Sequence, residues 1–335
     1  MDAPASLVVY SDYQCPACQS LAANLKALYE RHPHQVQIVY RHFPLIPIHD
    51  KASLAGQAAE AAGEQGKFWE MHDLLFDLGA DWRGLEEDAF REWLVEQAED
   101  LDLDVSAFQT ALDSGAYAED MQMAFSQGIA SGIPGTPFLF MNGDLLRIAP
   151  SPQNLEAMTR LLILRERQYA QYPPTVMRID QDYQARIRLT QGEVLIQLLP
   201  EASPVGVNSF VFLAQEGWYD DTPVFSVDPE RRVDFGDPSG TGHGDAGYHF
   251  ATETDPDVTF NQPGVVALSS AGPDISGSRF FITLAPIPDL NGSRTIIGRV
   301  IRGLNLLRAL EAHDASTDLL APPPSKIISI EIETQ

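Results

Sequence analysis

Residues 5–18 read ASLVVYSDYQCPAC: an apolar, β-branched run meets a Cys-Pro-Ala-Cys tetrapeptide that holds both cysteines of this 335-residue chain. The apolar run predicts a buried strand, and Leu21, Leu25, Leu28 and Tyr29 predict one face of a helix directly after it. Pro16 fits just inside the first helical turn, where its missing N–H costs nothing. The chain therefore has to pass from strand to helix at Cys15.

Three chemistries compete for such a pair. A structural zinc ion needs four ligands, and the sequence has neither a second CxxC nor a histidine beside this one. A structural disulfide across so short a loop restrains little unfolded-chain entropy. The third is a reactive dithiol. Unpaired N–H groups and the positive end of the helix dipole face the sulfur of Cys15. They favour its thiolate, the nucleophile in thiol–disulfide exchange. Cys18, one turn on, is placed to resolve the mixed disulfide. A strand–CxxC–helix context favours this reading, which expects the Cys15 sulfur to be exposed.

Charge excludes some partners. The net charge is −25, and each half carries 11 Lys and Arg against 25 acidic residues up to residue 170 and 22 beyond it. No basic face is offered to nucleic acid or to an anionic membrane surface. No apolar run approaches the roughly 18–20 residues of a membrane span. The start, MDAPASLVVY, has no basic leader, so no signal peptide is expected within these residues.

The texture changes once along the chain. VQIVYRHFPL predicts a second strand, residues 50–130 are helical in pattern, and Asn142-Gly143 between apolar runs predicts a hairpin. A helix over NLEAMTRLLILRERQYAQ ends at Tyr172-Pro173-Pro174, since two prolines cannot continue it. This sets the expected domains at 1–171 and 182–335, joined by a linker at 172–181. Beyond the linker, short strands dominate, with helices at VGVNSFVFLAQEG and GLNLLRALEAH, which suggests a closed barrel.

Four segments, YSDYQCPACQSL, RHFPLIPIHDKA, QGKFWEMHDLLF and GIPGTPFLFMNG, resemble in order and spacing the DsbA-like thiol–disulfide oxidoreductases. The resemblance covers residues 5–170 and implies a thioredoxin fold with a helical insertion. It makes Cys15 the attacking thiol and Cys18 the resolving one, and needs no cofactor. It makes Pro137 a cis-proline beside the pair, although an isolated X–Pro bond would be read as trans. Pro16, Ala17, Thr136 and Pro137 would then contact the client, with Thr136 offering its backbone to an extended peptide. Two departures stand out: relatives often carry a buried acid where this chain has Val9, and the dipeptide is Pro-Ala. The direction of electron flow stays open.

The second half, from QGEVLIQLLPEASPVGVNSFVFLAQEGWYDD to SGSRFFITLAPIPDLNGSRTIIGRVIRGLNLLRAL, resembles the cyclophilins over about 182–332. These are eight-stranded barrels with two helices that catalyse prolyl isomerisation. The family's catalytic arginine follows a histidine. The ungapped match puts Phe225 and Ser226 at those two places, and a shift by one puts Val227 at the arginine position. Its apolar pocket pair becomes Arg231 and Arg232, and other rim positions become Asp234, Arg279, Asp289 and Arg294. Phe281 and Leu290 survive, as pocket or as barrel core. The pocket to be tested is thus Ser226, Arg231, Phe281 and Leu290.

Three functions follow. One is an oxidoreductase for client polypeptides with an appended barrel, weak or inactive as an isomerase, that binds them. The second is a bifunctional folding catalyst, and the third a non-catalytic interaction protein. The first two imply client polypeptides, and the dithiol implies a redox partner protein as well. The resemblance implies a bacterial, extracytoplasmic location; a reducing cytoplasmic role is the alternative.

Overall fold

The structure, a computed structural model, describes residues 3–270 and 276–334. Its contacts form two compact units, Met1–Leu155 and Glu156–Gln335.

The first unit opens with β1 (Ala5–Ser11), α1 (Pro16–Arg31) and β2 (Val36–His42). Burial alternates strictly along β1, with Ala5, Leu7 and Val9 inward, as expected of a strand with unlike faces. Six helices then intervene: α2 (Ala52–Gly63), α3 (Phe68–Asp77), α4 (Gly79–Trp82), α5 (Glu87–Asp100), α6 (Val105–Ser114) and α7 (Ala118–Ala130). The chain returns through β3 (Phe138–Met141) and β4 (Asp144–Leu145) to make a sheet ordered β2-β1-β3-β4. β1 runs parallel to β2 and antiparallel to β3. The expected hairpin is present: Asn142 and Gly143 both have positive φ, at 49° and 86°, the requirement of a tight two-residue turn. The Asn142 side chain ties the turn to β1 by accepting from Ser6 N at 2.7 Å and donating to Pro4 O at 2.9 Å.

Helix α8 (Pro152–Leu164) crosses the division between the units and runs into a 3₁₀ turn at Arg165–Arg167. Residues 156–181, which the sequence reading divided between the first domain and a linker, belong to the second unit. Tyr169 N donates to Ala246 O, and the Asn208 side chain joins Pro174 O and Val176 N.

The second unit contains β5 (Tyr183–Leu189), β6 (Gly192–Leu198), α9 (Pro204–Gln215), β7 (Ser226–Asp228), β8 (Arg232–Phe235), β9 (Val265–Ser270), β10 (Ser276–Thr283), β11 (Ile296–Arg302), α10 (Leu304–Arg308), β12 (His313–Asp314), α11 (Ala315–Asp318) and β13 (Ile327–Thr334). Nine strands form one curled sheet in the order β12-β7-β8-β10-β9-β11-β6-β5-β13. A Pro223–Lys326 bridge, with Val224 N to Ser325 O at 2.9 Å and Ile327 N to Thr222 O at 2.8 Å, brings the ends of the sheet together. The ninth strand is the two-residue β12, which pairs His313 and Asp314 with β7. This pairing takes the end of the expected helix over residues 303–313, so α10 stops at Arg308.

Inside the barrel Phe280 meets Phe210, Tyr219 and Phe235 with ring centroids 5.2–5.5 Å apart. Each such buried aromatic contributes about 1.5–3 kcal/mol of transfer free energy. The next residue, Phe281, necessarily faces the other way. It joins a separate outer cluster with Phe260, Ala267, Ile287 and Ile296. That outer face carries the second candidate site.

Candidate active site

Cys15 is the N-cap residue of α1, with φ −76° and ψ 121°, and Pro16 occupies the first helical position. No side chain caps this helix and no acid lies in its first turn. The free amides therefore point at the sulfur. From a segment 121 residues away, the carbonyl of Thr136 lies 3.8 Å from Cys15 Sγ, and the Thr136–Pro137 peptide is cis. Pro16 and Ala17 are exposed; Thr136 and Pro137 are half-buried.

Both cysteines are free thiols. The expectation of an exposed Cys15 sulfur needs correction: the residue keeps 8% of its surface and Cys18 only 1%. The cause is the insertion, whose Ala58, Leu75 and Phe76 share one apolar cluster with both cysteines. The Cys15 thiol is nevertheless pulled down to about 5. Its largest support is the hydrogen bond from the Cys18 thiol; the amides of Cys18 and Ala17 add to it, against burial. Cys18 moves strongly upward, because it supplies that proton and is buried. The pair thus holds one shared proton, with the negative charge on the less buried sulfur.

Sequence reasoning missed the group that shapes the approach to this site. The Asp12 carboxylate is fully buried. One oxygen accepts from Gln14 N at 2.7 Å. The other accepts from Leu45 N and meets His49 Nδ1, both at 2.8 Å. Asp12 therefore clamps the loop before Cys15 onto residues 45–49. Its position three residues before the first cysteine was the available signal. Asp12→Ala strands two amide donors and should cost about 3 kcal/mol, measured by urea unfolding of the reduced protein. No group of three or more His, Cys, Asp or Glu side chains suited to a metal occurs among the described residues.

On the barrel, strand register decides which residues share the outer face. Ser226 pairs with Asp234, and Asp234 with Phe281, so these three lie in one row. Val227 instead belongs to the interior core, which leaves Ser226 as the residue at the arginine position. Arg231 needs correcting as a pocket residue. Its side chain is 49% exposed and reaches Asp289 at 3.4 Å, a surface pair of small energetic weight. The neighbouring Arg232 takes the face instead. Its guanidinium lies 4.7 Å from the Phe281 ring centroid and bonds Asp234 Oδ2 at 3.0 Å. Phe281 is fully buried and stacks on Phe260, and Leu290 packs on the same cluster. Phe281 therefore serves as core, and the half-buried Leu290 covers its cluster from the edge.

Burial raises the Asp234 pKa despite the nearby Arg232 charge. The folded state then holds a proton that the unfolded chain has released, so stability falls as pH rises from about 4 through that window. Asp234→Asn should remove this slope and gain on the wild type toward neutral pH, as read by urea midpoints across the range.

Comparison with known proteins assigns each half. A family model described as thioredoxin matches residues 1–162, and one described as cyclophilin type peptidyl-prolyl cis-trans isomerase matches residues 184–332. The peptidyl-prolyl cis-trans isomerase ppi1 of Schizosaccharomyces pombe is 38% identical over 145 residues, which is 42% of this chain and 94% of that protein. The peptidyl-prolyl cis-trans isomerase-like 1 of Gibberella zeae is 36% identical over 127 residues, 37% of this chain and 78% of that one. A third relative, the Na(+)/H(+) antiporter NhaA 3 of Salinispora tropica, is 37% identical over 162 residues, covering 47% of this chain but 22% of the antiporter.

Proposed function

Because this chain belongs to the cyclophilin-type peptidyl-prolyl cis-trans isomerase family through residues 184–332 and carries a thioredoxin-family domain over residues 1–162, we propose that it is a thiol–disulfide oxidoreductase for polypeptides, built onto a barrel that holds them. The observation that carries this reading is the placement of Cys15 at the uncapped start of α1, 3.8 Å from the Thr136 carbonyl.

In the oxidising direction a client thiolate attacks Cys15 of the disulfide form. The Cys15–Cys18 bond breaks, and Cys18 leaves and takes a proton. A second client thiolate then attacks the client sulfur of the mixed disulfide and expels Cys15 as its thiolate. Two electrons pass from the client to the pair. A redox partner protein must accept them to restore the disulfide. Stabilising the Cys15 thiolate stabilises the reduced form, which makes the disulfide an oxidant. On this reading the protein belongs to an oxidising, extracytoplasmic space. The test is single-turnover oxidation of a dithiol peptide by the disulfide form; failure to transfer the disulfide would sink the reading.

The barrel's contribution is binding with weak isomerisation. The face lacks a guanidinium at Ser226, and Arg232 lies over the ring of Phe281. The position of Arg232 also favours a second reading, in which it supplies the missing donor to a twisted prolyl amide. Proline-peptide turnover by Arg232→Ala separates the two.

A further inference from the structure

The helical insertion brings a cation to the dithiol. Arg83 directly follows α4. Its Nη2 donates to the carbonyl of Tyr13 at 3.2 Å, two residues before Cys15, and its Nη1 donates to Gln19 Oε1 at 2.8 Å, just beyond Cys18. The Gln19 amide N–H bonds the Cys15 carbonyl at 3.2 Å, and its side chain donates to Phe76 O at the far end of α3. One guanidinium thus pins the chain on both sides of the CPAC turn. Both of these partners are neutral, so these bonds leave its positive charge uncompensated. The guanidinium lies 5.7 Å from the Trp82 ring centroid, and its Nε is buried with no partner.

Gly79 makes room for this group. A Cβ at residue 79 would come within 2.6 Å of Arg83 Cζ and Nη2. Gly79 has an ordinary helical backbone, so its lack of a side chain serves space and not conformation. Burial lowers the Arg83 pKa, and the charges of Cys15, Asp12 and Cys18 oppose that. The guanidinium and the dithiol therefore share one electrostatic neighbourhood.

We propose that Arg83 is a positioning residue for disulfide exchange: it holds residues 13–19 in place and lends its charge to the Cys15 thiolate, so the insertion tunes the dithiol. The inference rests on the oxidoreductase reading. It adds that reactivity at position 15 depends on a side chain 68 residues away.

Three variants test it in the full chain, with the Cys15 titration as readout, followed by thiolate absorbance and alkylation rate. Arg83→Gln should lower the Cys15 alkylation rate below its titration midpoint about threefold, the order expected when one neighbouring, incompletely desolvated charge is removed. Added salt should shrink the difference. Arg83→Lys should recover part of it, since the charge stays but the two-pronged geometry is lost. Gly79→Ala should match Arg83→Gln, because it displaces the guanidinium without removing it. An unchanged Cys15 titration in folded Gly79→Ala and Arg83→Gln overturns the proposal; if Arg83→Gln fails to fold, Gly79→Ala decides alone. A wild-type thiol titrating near the ordinary ~8.5 would instead remove the oxidoreductase reading beneath it.

Discussion

Replacing Cys15 by serine lowers disulfide transfer to a dithiol peptide by about 10³-fold or more, the scale seen when a covalent nucleophile is removed. Cys18→Ser, assayed in the reducing direction on a disulfide-bonded peptide, gives the complementary result: the Cys15 thiolate attacks, one peptide thiolate leaves, and the mixed disulfide persists as an isolable adduct for want of the resolving thiol. Comparable loss of both steps in Cys18→Ser, with no adduct, would contradict the assigned roles. The pH dependence follows from the same charges. The hydrogen bond from Cys18, then the amides of Cys18 and Ala17, hold the Cys15 thiol at about 5, well below the ~8.5 of a free thiol. A folded pKa below the unfolded one adds stability to the reduced form. That contribution is complete above the unfolded value and is lost as pH falls through 5. Alkylation of Cys15 should therefore be nearly flat from pH 8 to 6 and half-maximal at about 5. A midpoint above about 8 would show that burial outweighs the donors.

The barrel carries the second large expectation. Proline-peptide turnover, followed by a protease-coupled assay, should fall at least about 10²-fold below that of a cyclophilin with its arginine in place, the usual cost of one preorganised donor. The structure adds a steric reason to the electrostatic one. An apolar ring must be uncovered to receive a proline, yet Phe281 is fully buried and carries the Arg232 guanidinium at 4.7 Å. Turnover within tenfold of such a cyclophilin would reverse this conclusion. If Arg232→Ala then abolished that turnover, the donor would have moved from β7 to β8.

The two sites differ in how much of each was legible beforehand. At the dithiol, the strand, the proline at the first helical position and the uncapped start of α1 all follow from neighbours within about four residues, where backbone preference and amide geometry are local. The hairpin at Asn142-Gly143 was legible for the same reason. On the barrel, Arg231 and Arg232 look equivalent in sequence. Only the fold separates them: Arg231 ends the turn after β7, whereas Arg232 opens β8 and pairs with Thr283 of β10, whose register sets the face its side chain takes. The covered Cys15 could not be foreseen either, since the helices that cover it lie 40–60 residues further on.

The sequence alone determined that this chain has a thioredoxin-like half with one CxxC at a strand–helix junction and a cyclophilin-like half in which the resemblance lays Ser226 at the place of the family's arginine. Those properties reside in residue identity and short spacing. The tertiary structure alone decided that Asp12 clamps the approach loop, that Arg83 flanks the dithiol, that Thr136 meets Cys15, and that Arg232 covers Phe281. Each of these is a contact between groups far apart or ambiguous along the chain, and its energy exists only once burial has brought them together and excluded water.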